Sequence, residues 1–221
     1  MNQIFQDNSP LVIGVKKVLD IVLLDVLWLL TSIPVVTIGM STTAFYDVAY
    51  RDIWHGRGMV VLDYFASCKR NFRQSMAAGV LYAAMTAVLV VDVSLLRAMA
   101  DQGAGWGGLW VPVAVFAGLL AVYFVWVAAN IARFQAPLKT ILKNALALGL
   151  AHLPVSLLVG VLIGAAGLCI WLLPGALFVL PTLCMLGCCV LIDGVFRKYM
   201  PPEELERERT RNGRPGPWDE G

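Results

Sequence analysis

Residues 28–46 read W-L-L-T-S-I-P-V-V-T-I-G-M-S-T-T-A-F-Y. An apolar run reaches Pro34, which has no backbone N–H to continue a helix and crowds the turn before it. The chain is expected to break over Thr37–Gly39 and to restart at Ser41, Thr42 and Thr43, whose hydroxyls suit the N-cap position. The stretch therefore reads as a membrane span with a kinked end, leading into a second helix on the membrane surface.

Composition agrees. Of 221 residues, 59% are hydrophobic and 14% are charged, and the mean hydropathy is +0.74. Soluble domains carry about 25% charged residues. A water-soluble fold of this size cannot hide so much apolar surface, so the bilayer is the expected solvent. An all-α, polytopic membrane protein follows. Five runs reach about 20 residues, the length needed to cross a bilayer: about 18–38, 76–96, 109–132, 145–170 and 172–196. Residues 1–200 form one transmembrane domain on this reading, and 201–221, rich in Pro, Gly, Glu and Arg, form a largely disordered tail.

Lysine and arginine orient the chain. With five spans, Arg51, Arg57, Lys69, Arg70, Arg73, Arg133, Lys139, Lys143, Arg197, Lys198 and four tail arginines share one side. Lys16, Lys17 and Arg97 fall on the other. Positive charge in short loops marks the cytoplasmic side, so the N-terminus is expected outside and the C-terminus in the cytoplasm. Two cytoplasmic interfacial helices are expected between the first and second spans. The first carries Phe45, Val48, Ala49 and Ile53 on one face, with Tyr46, Tyr50 and Trp54 suited to the headgroup zone. The second, about Met59–Arg73, groups Leu62, Phe65, Ala66 and Phe72, with Lys69, Arg70 and Arg73 offered to anionic headgroups.

Trp28, Pro34, Thr37, Gly39, Ala44 and Tyr46 together resemble the signature of the YesL family, bacterial integral membrane proteins classed as a domain of unknown function. Asp63-Tyr64-Phe65 with Lys69 through Ser75 forms a second matching block. Arg133-Phe134, Leu142–Ala145 and His152-Leu153-Pro154 form a third. The chain departs from the pattern at Asp25, where an asparagine is expected. The resemblance implies a bacterial inner-membrane location. It also implies an accessory role in carbohydrate uptake, with transporter subunits as partners.

Two residues stand out for chemistry. Asp25 and Asp92 lie inside expected spans, where a charge costs about 2.5–3.5 kcal/mol on insertion scales. They are expected to face the bundle interior and each other, as an intramembrane polar site or as interhelical hydrogen bonds that fix packing. Asp193 is expected to pair with Arg197, and His152 to be a satisfied hydrogen-bond partner. Lys69, Arg70, Asn71, Phe72, Arg73 and Gln74 form the expected contact surface for a partner protein or for lipid headgroups.

Other classes find no support. There is no Walker A loop, no HExxH and no GxSxG elbow. Cys184 and Cys188 share a helix face but have no third ligand at metal-binding spacing. The expectation is a non-enzymatic protein without cofactor, metal or nucleic acid, in contact with membrane lipid and open to self-association. The alternative is a small secondary transporter or channel using Asp25 and Asp92.

Overall fold

The computed structural model describes residues 10–55, 59–103, 105–134 and 136–200; the expected tail at 201–221 lies outside them. The described residues fold as eight α-helices joined by short turns, with no strand among them. They are α1 (Pro10–Ser32), α2 (Ile38–Val48), α3 (Val60–Arg70), α4 (Phe72–Asp101), α5 (Trp110–Arg133), α6 (Leu138–Ala151), α7 (Leu153–Leu172) and α8 (Leu180–Tyr199). α2 runs on through a π-type turn at Ala49–Trp54.

Four helices among the described residues are long and apolar enough to cross a membrane: α4, α5, α7 and α8. The expected first span is α1. It has the length, at 23 residues, but carries Lys16, Lys17, Asp20 and Asp25. The expected fourth span, 145–170, is two helices. α6 ends at Ala151 and α7 starts at Leu153, because Pro154 removes one ladder hydrogen bond and His152 leaves the helical region (φ −118°, ψ 54°). α6 buries Ile141 and Ala145 and exposes Lys139, Lys143 and Asn144. It is an amphipathic helix that a hydropathy window merges with the span after it.

The break in the opening stretch also differs from expectation. α1 stops at Ser32, and Pro34 adopts an extended conformation (φ −75°, ψ 115°) before a single 3-10 turn at Val35–Thr37. Gly39 is an ordinary helical residue inside α2, and Ser41, Thr42 and Thr43 are not caps. Ser41 Oγ donates to the Ile38 carbonyl, and Thr43 Oγ1 to that of Gly39. Thr37 does the capping: its hydroxyl lies 2.5 Å from the Thr31 carbonyl and 2.7 Å from that of Pro34. These are carbonyls at the end of α1 and in the turn after it, where the helix ladder has stopped.

α2 is the centre of the molecule. Tyr82 of α4 stacks on Phe124 of α5 at 4.0 Å, and Arg133 of α5 binds Asp193 of α8 at 2.6 Å. The first turns of α4 and the last turns of α5 and α8 therefore share one end of the bundle. α2 crosses that end. Its Gly39 sits on Ser75 and Gly79 of α4, the Tyr46 carbonyl meets Cys189, and Tyr50 meets Asp193. α1 covers it through a Trp28–Phe45 stack at 5.3 Å and a Ser32–Ser41 hydrogen bond, and α3 covers it through Ser67 and Tyr64. Ser41 through Tyr50 are all buried, so Tyr46 and Tyr50 do not reach the headgroup zone expected for them; only Trp54 is exposed. A helix stands where the second interfacial helix is expected, but it is shorter: α3 stops at Arg70, and Phe72 and Arg73 open α4. α3 turns Tyr64, Ser67 and Cys68 inward and leaves Leu62, Phe65 and, just beyond it, Phe72 exposed.

The Gly39–Gly79 contact sets how closely α2 and α4 approach. A Cβ on Gly39 would lie 2.1 Å from the Ser75 carbonyl and 2.5 Å from the Gly79 Cα. Backbone meets backbone there, as small residues allow in membrane bundles. The glycines of α7 differ: Gly160 approaches Val122, while Gly164 and Gly167 face open space.

Candidate functional site

Asn71 separates α3 from α4 (φ −105°, ψ 11°) and lets the chain turn a corner. The corner puts Lys69, Arg70, Asn71, Phe72, Arg73 and Gln74 along one wall of a groove of about 500 Å³. The opposite wall is the loop between α5 and α6, with Phe134, Ala136 and Pro137. Gln74 Nε2 donates to the Ala136 carbonyl at 2.9 Å and fixes the distance between the walls. All six residues expected as a contact surface thus meet in one site. Three of the nine lining residues are cationic and none is acidic.

The six are not equivalent. Arg70 bonds Asp47 Oδ2 at 2.5 Å, and the same oxygen accepts from Ser67 at 2.6 Å and from Arg51. Asp47 is 4% exposed, so Arg70 serves as its counter-ion and ties α3 to α2. Lys69, Phe72 and Arg73 are exposed on the groove. One turn beyond Asp47, Asp52 is 7% exposed. Burial and the neighbouring Asp63 charge push its carboxyl up to about 7, against the opposing pull of Arg51.

A second charged cluster ties α2 to α5 and α8. Arg133 Nη1 donates to Asp193 Oδ1 at 2.6 Å, Tyr50 Oη donates to the same oxygen at 3.0 Å, and Arg197 Nε reaches Oδ2 at 2.6 Å. The Arg133 guanidinium also lies 4.3 Å from the Tyr50 ring centre. The expected Asp193–Arg197 pair is present. Its partners Arg133 and Tyr50 are 60 and 143 residues away, beyond the reach of any helical spacing rule. His152 has its expected partner: its Nε2 lies 3.1 Å from Tyr199 Oη.

Asp25 and Asp92 are not brought together inward as expected. Asp25 is fully buried against α8, where Thr182 Oγ1 donates to its Oδ1 at 2.8 Å. Its Oδ2 has no partner among the described residues. Asp92 is exposed on α4, beside the exposed Val91 and Leu95. The six signature residues, by contrast, have visible tasks. Trp28 packs on Phe45 and reaches Thr42. Pro34 ends α1, Thr37 caps it, and Gly39 admits α4. Ala44 and Tyr46 are fully buried.

The α6–α7 break is closed by a hydroxyl. Ser156 Oγ donates to the Gly149 carbonyl at 2.8 Å and accepts from Trp126 Nε1 at 3.1 Å.

Nothing among the curated proteins and nothing among the solved structures matches the chain. Residues 21–93, about a third of the chain, match the family model described as "Protein of unknown function, DUF624", a span that takes in α2, α3, most of the long α4 and the Lys69–Gln74 wall of the groove.

Proposed function

We propose that this protein is a non-enzymatic, multi-pass adaptor of the bacterial inner membrane, docking a partner through the basic groove at the α3–α4 corner. The observation that carries the reading is the convergence of Lys69, Phe72 and Arg73, all exposed, on a groove whose opposite wall comes from a separate loop. A site built from two distant segments on a rigid corner suits recognition, and an exposed aromatic between cations suits a protein interface. The resemblance to YesL-like proteins makes subunits of a carbohydrate uptake system the partner to look for. α1 enters the reading as a fifth span. Its Ile21 and Asp25 meet the first turn of α8, and its Trp28 and Ser32 meet α2 at the opposite end. It thus runs parallel to α8, which favours an external N-terminus and a cytoplasmic C-terminus.

The test is cross-linked affinity capture of the tagged protein at native level, with mass spectrometry. Transporter permease subunits are expected with the parent chain and lost with Lys69→Glu combined with Phe72→Ala, while membrane insertion is unchanged. An intact complex in that variant refutes the reading. Arg70 is unsuitable for this test, because removing it takes one of two counter-ions from the buried Asp47 and loosens the tie between α3 and α2.

The unpartnered Oδ2 of Asp25 favours a second reading, a secondary transporter that protonates this carboxylate. Unchanged solute-coupled proton movement in liposomes containing Asp25→Asn would remove it.

A further inference from the structure

Asn71 supplies an observation that docking leaves unused. Its Nδ2 is shielded from the surface and has no hydrogen-bond partner among the described residues, yet the residue lines the groove. A shielded amide N–H₂ without an acceptor is costly, and the cations of the lining, Lys69, Arg70 and Arg73, offer it none. Lys69 and Arg73 stand on either side of it in sequence, at the last turn of α3 and the first turn of α4. The α4 N-terminus adds its positive end to theirs. With three cations and no acidic residue in the lining, the groove suits an anion with several acceptor oxygens. A phosphate meets Lys and Arg through charge-assisted bonds.

The surroundings indicate the source. Phe72 lines the groove, and Leu62 and Phe65 lie exposed on the helix that leads into it, an apolar strip flanking a cationic cavity. That pairing matches a molecule with an anionic head and hydrocarbon tails. We propose that the groove binds the phosphate of an anionic phospholipid headgroup, held by Lys69 and Arg73, with the Asn71 amide turning out from its shielded position to meet it and the acyl chains lying along Phe72 and Phe65. The inference concerns the ligand of the groove and does not depend on any protein partner.

The experiment uses the purified full chain in a neutral detergent and measures binding by native mass spectrometry and calorimetry. Probes are dihexanoyl phosphatidylglycerol, dihexanoyl phosphatidylcholine and glycerol phosphate. Saturable binding of phosphatidylglycerol is expected, about tenfold tighter than phosphatidylcholine, and weakened at least tenfold by Lys69→Gln with Arg73→Gln. Asn71→Asp, which places a carboxylate against the phosphate, is expected to weaken it similarly and serves as the second variant if the first does not fold. Binding that both variants leave unchanged, or no difference between the two lipids, overturns the proposal. Glycerol phosphate binding as tightly as phosphatidylglycerol overturns the lipid source and assigns the groove to a soluble phosphate ester. Because no partner protein is present, failure here leaves the docking reading standing, and loss of docking leaves this one standing.

Discussion

α2 and α4 pack on each other and are built on opposite principles. α2 carries Ser41, Thr42, Thr43 and Asp47, and every one of them is buried. α4 carries Val80, Leu81, Val88, Val90, Val91 and Leu95, and every one of them is exposed. Only 6% of the most apolar window of α4 is buried within the protein, and the same holds for α7. In water this would be an inside-out molecule. In a bilayer, hydrocarbon solvates valine as well outside the bundle as inside it, so apolarity no longer decides what is buried. Close backbone approach and hydrogen bonding decide it, and α2 has both. Gly39 lies on Gly79, while Asp47, Tyr50 and the hydroxyls of Ser41 and Thr43 are all bonded.

The largest test of that contrast is Gly39→Ala. The added methyl has no room against backbone atoms that cannot rotate away. A loss of roughly 3 kcal/mol or more is expected, at the upper end for a single substitution, read as early thermal unfolding in detergent and rapid proteolysis. Gly79→Ala should do the same. A variant that melts like the parent would show that the α2–α4 contact does not hold the fold.

A middle-sized effect is expected at Asp52. Its carboxyl is pushed up to about 7 in the fold by burial and by Asp63, with Asp47 adding to the rise and Arg51 opposing it. An unfolded aspartate titrates near 4, so the folded state holds the extra proton between about pH 4 and 7. Stability from this group is full below about pH 4 and falls as pH rises through about 7. Asp52→Asn should flatten that decline and raise stability at pH 8 by about 1–2 kcal/mol, seen in melts across pH 5–8. An unaltered pH profile would place the titration elsewhere.

The smallest effect is expected on α4. Val91→Ala should shift the melt by less than about 0.5 kcal/mol, as for surface positions free of special features, since lipid replaces the lost contact. A large loss would mean that this face packs on protein, and would point to self-association.

Much of this was legible in the sequence, and the limits have physical causes. The helical class, the spans at α4, α5 and α8 and the amphipathic α3 follow from hydropathy and periodicity, which are local. α6 was hidden because Ala145–Ala151 is as apolar as a span, and only Pro154 marks the joint. The tyrosines and hydroxyls of α2 resemble those of a headgroup helix, whereas its burial depends on Gly79, Cys189 and Asp193, each distant in the chain. The groove was legible on one wall only, Lys69–Gln74. The loop that faces it lies some sixty residues on, joined through the Gln74–Ala136 bond. The pairing of Asp25 with Asp92 failed because depth in a membrane can be counted along a helix, while the direction a side chain faces depends on its neighbours.

The position of α2 has a consequence for biogenesis. The chain emerges in order, and α2 is made before every helix that encloses it except α1. Its contacts with Cys189 and Asp193 belong to α8, the last helix described. Until that helix is inserted, the Tyr46 carbonyl lacks its Cys189 contact, and Tyr50 and Arg133 wait without Asp193. Insertion and assembly are therefore separate events in this protein. The apolar helices partition one by one as they are made, and the last open face of the polar segment closes only when α8 joins. A nascent chain stalled before α8 would therefore leave Arg133 and Tyr50 without the carboxylate that joins them.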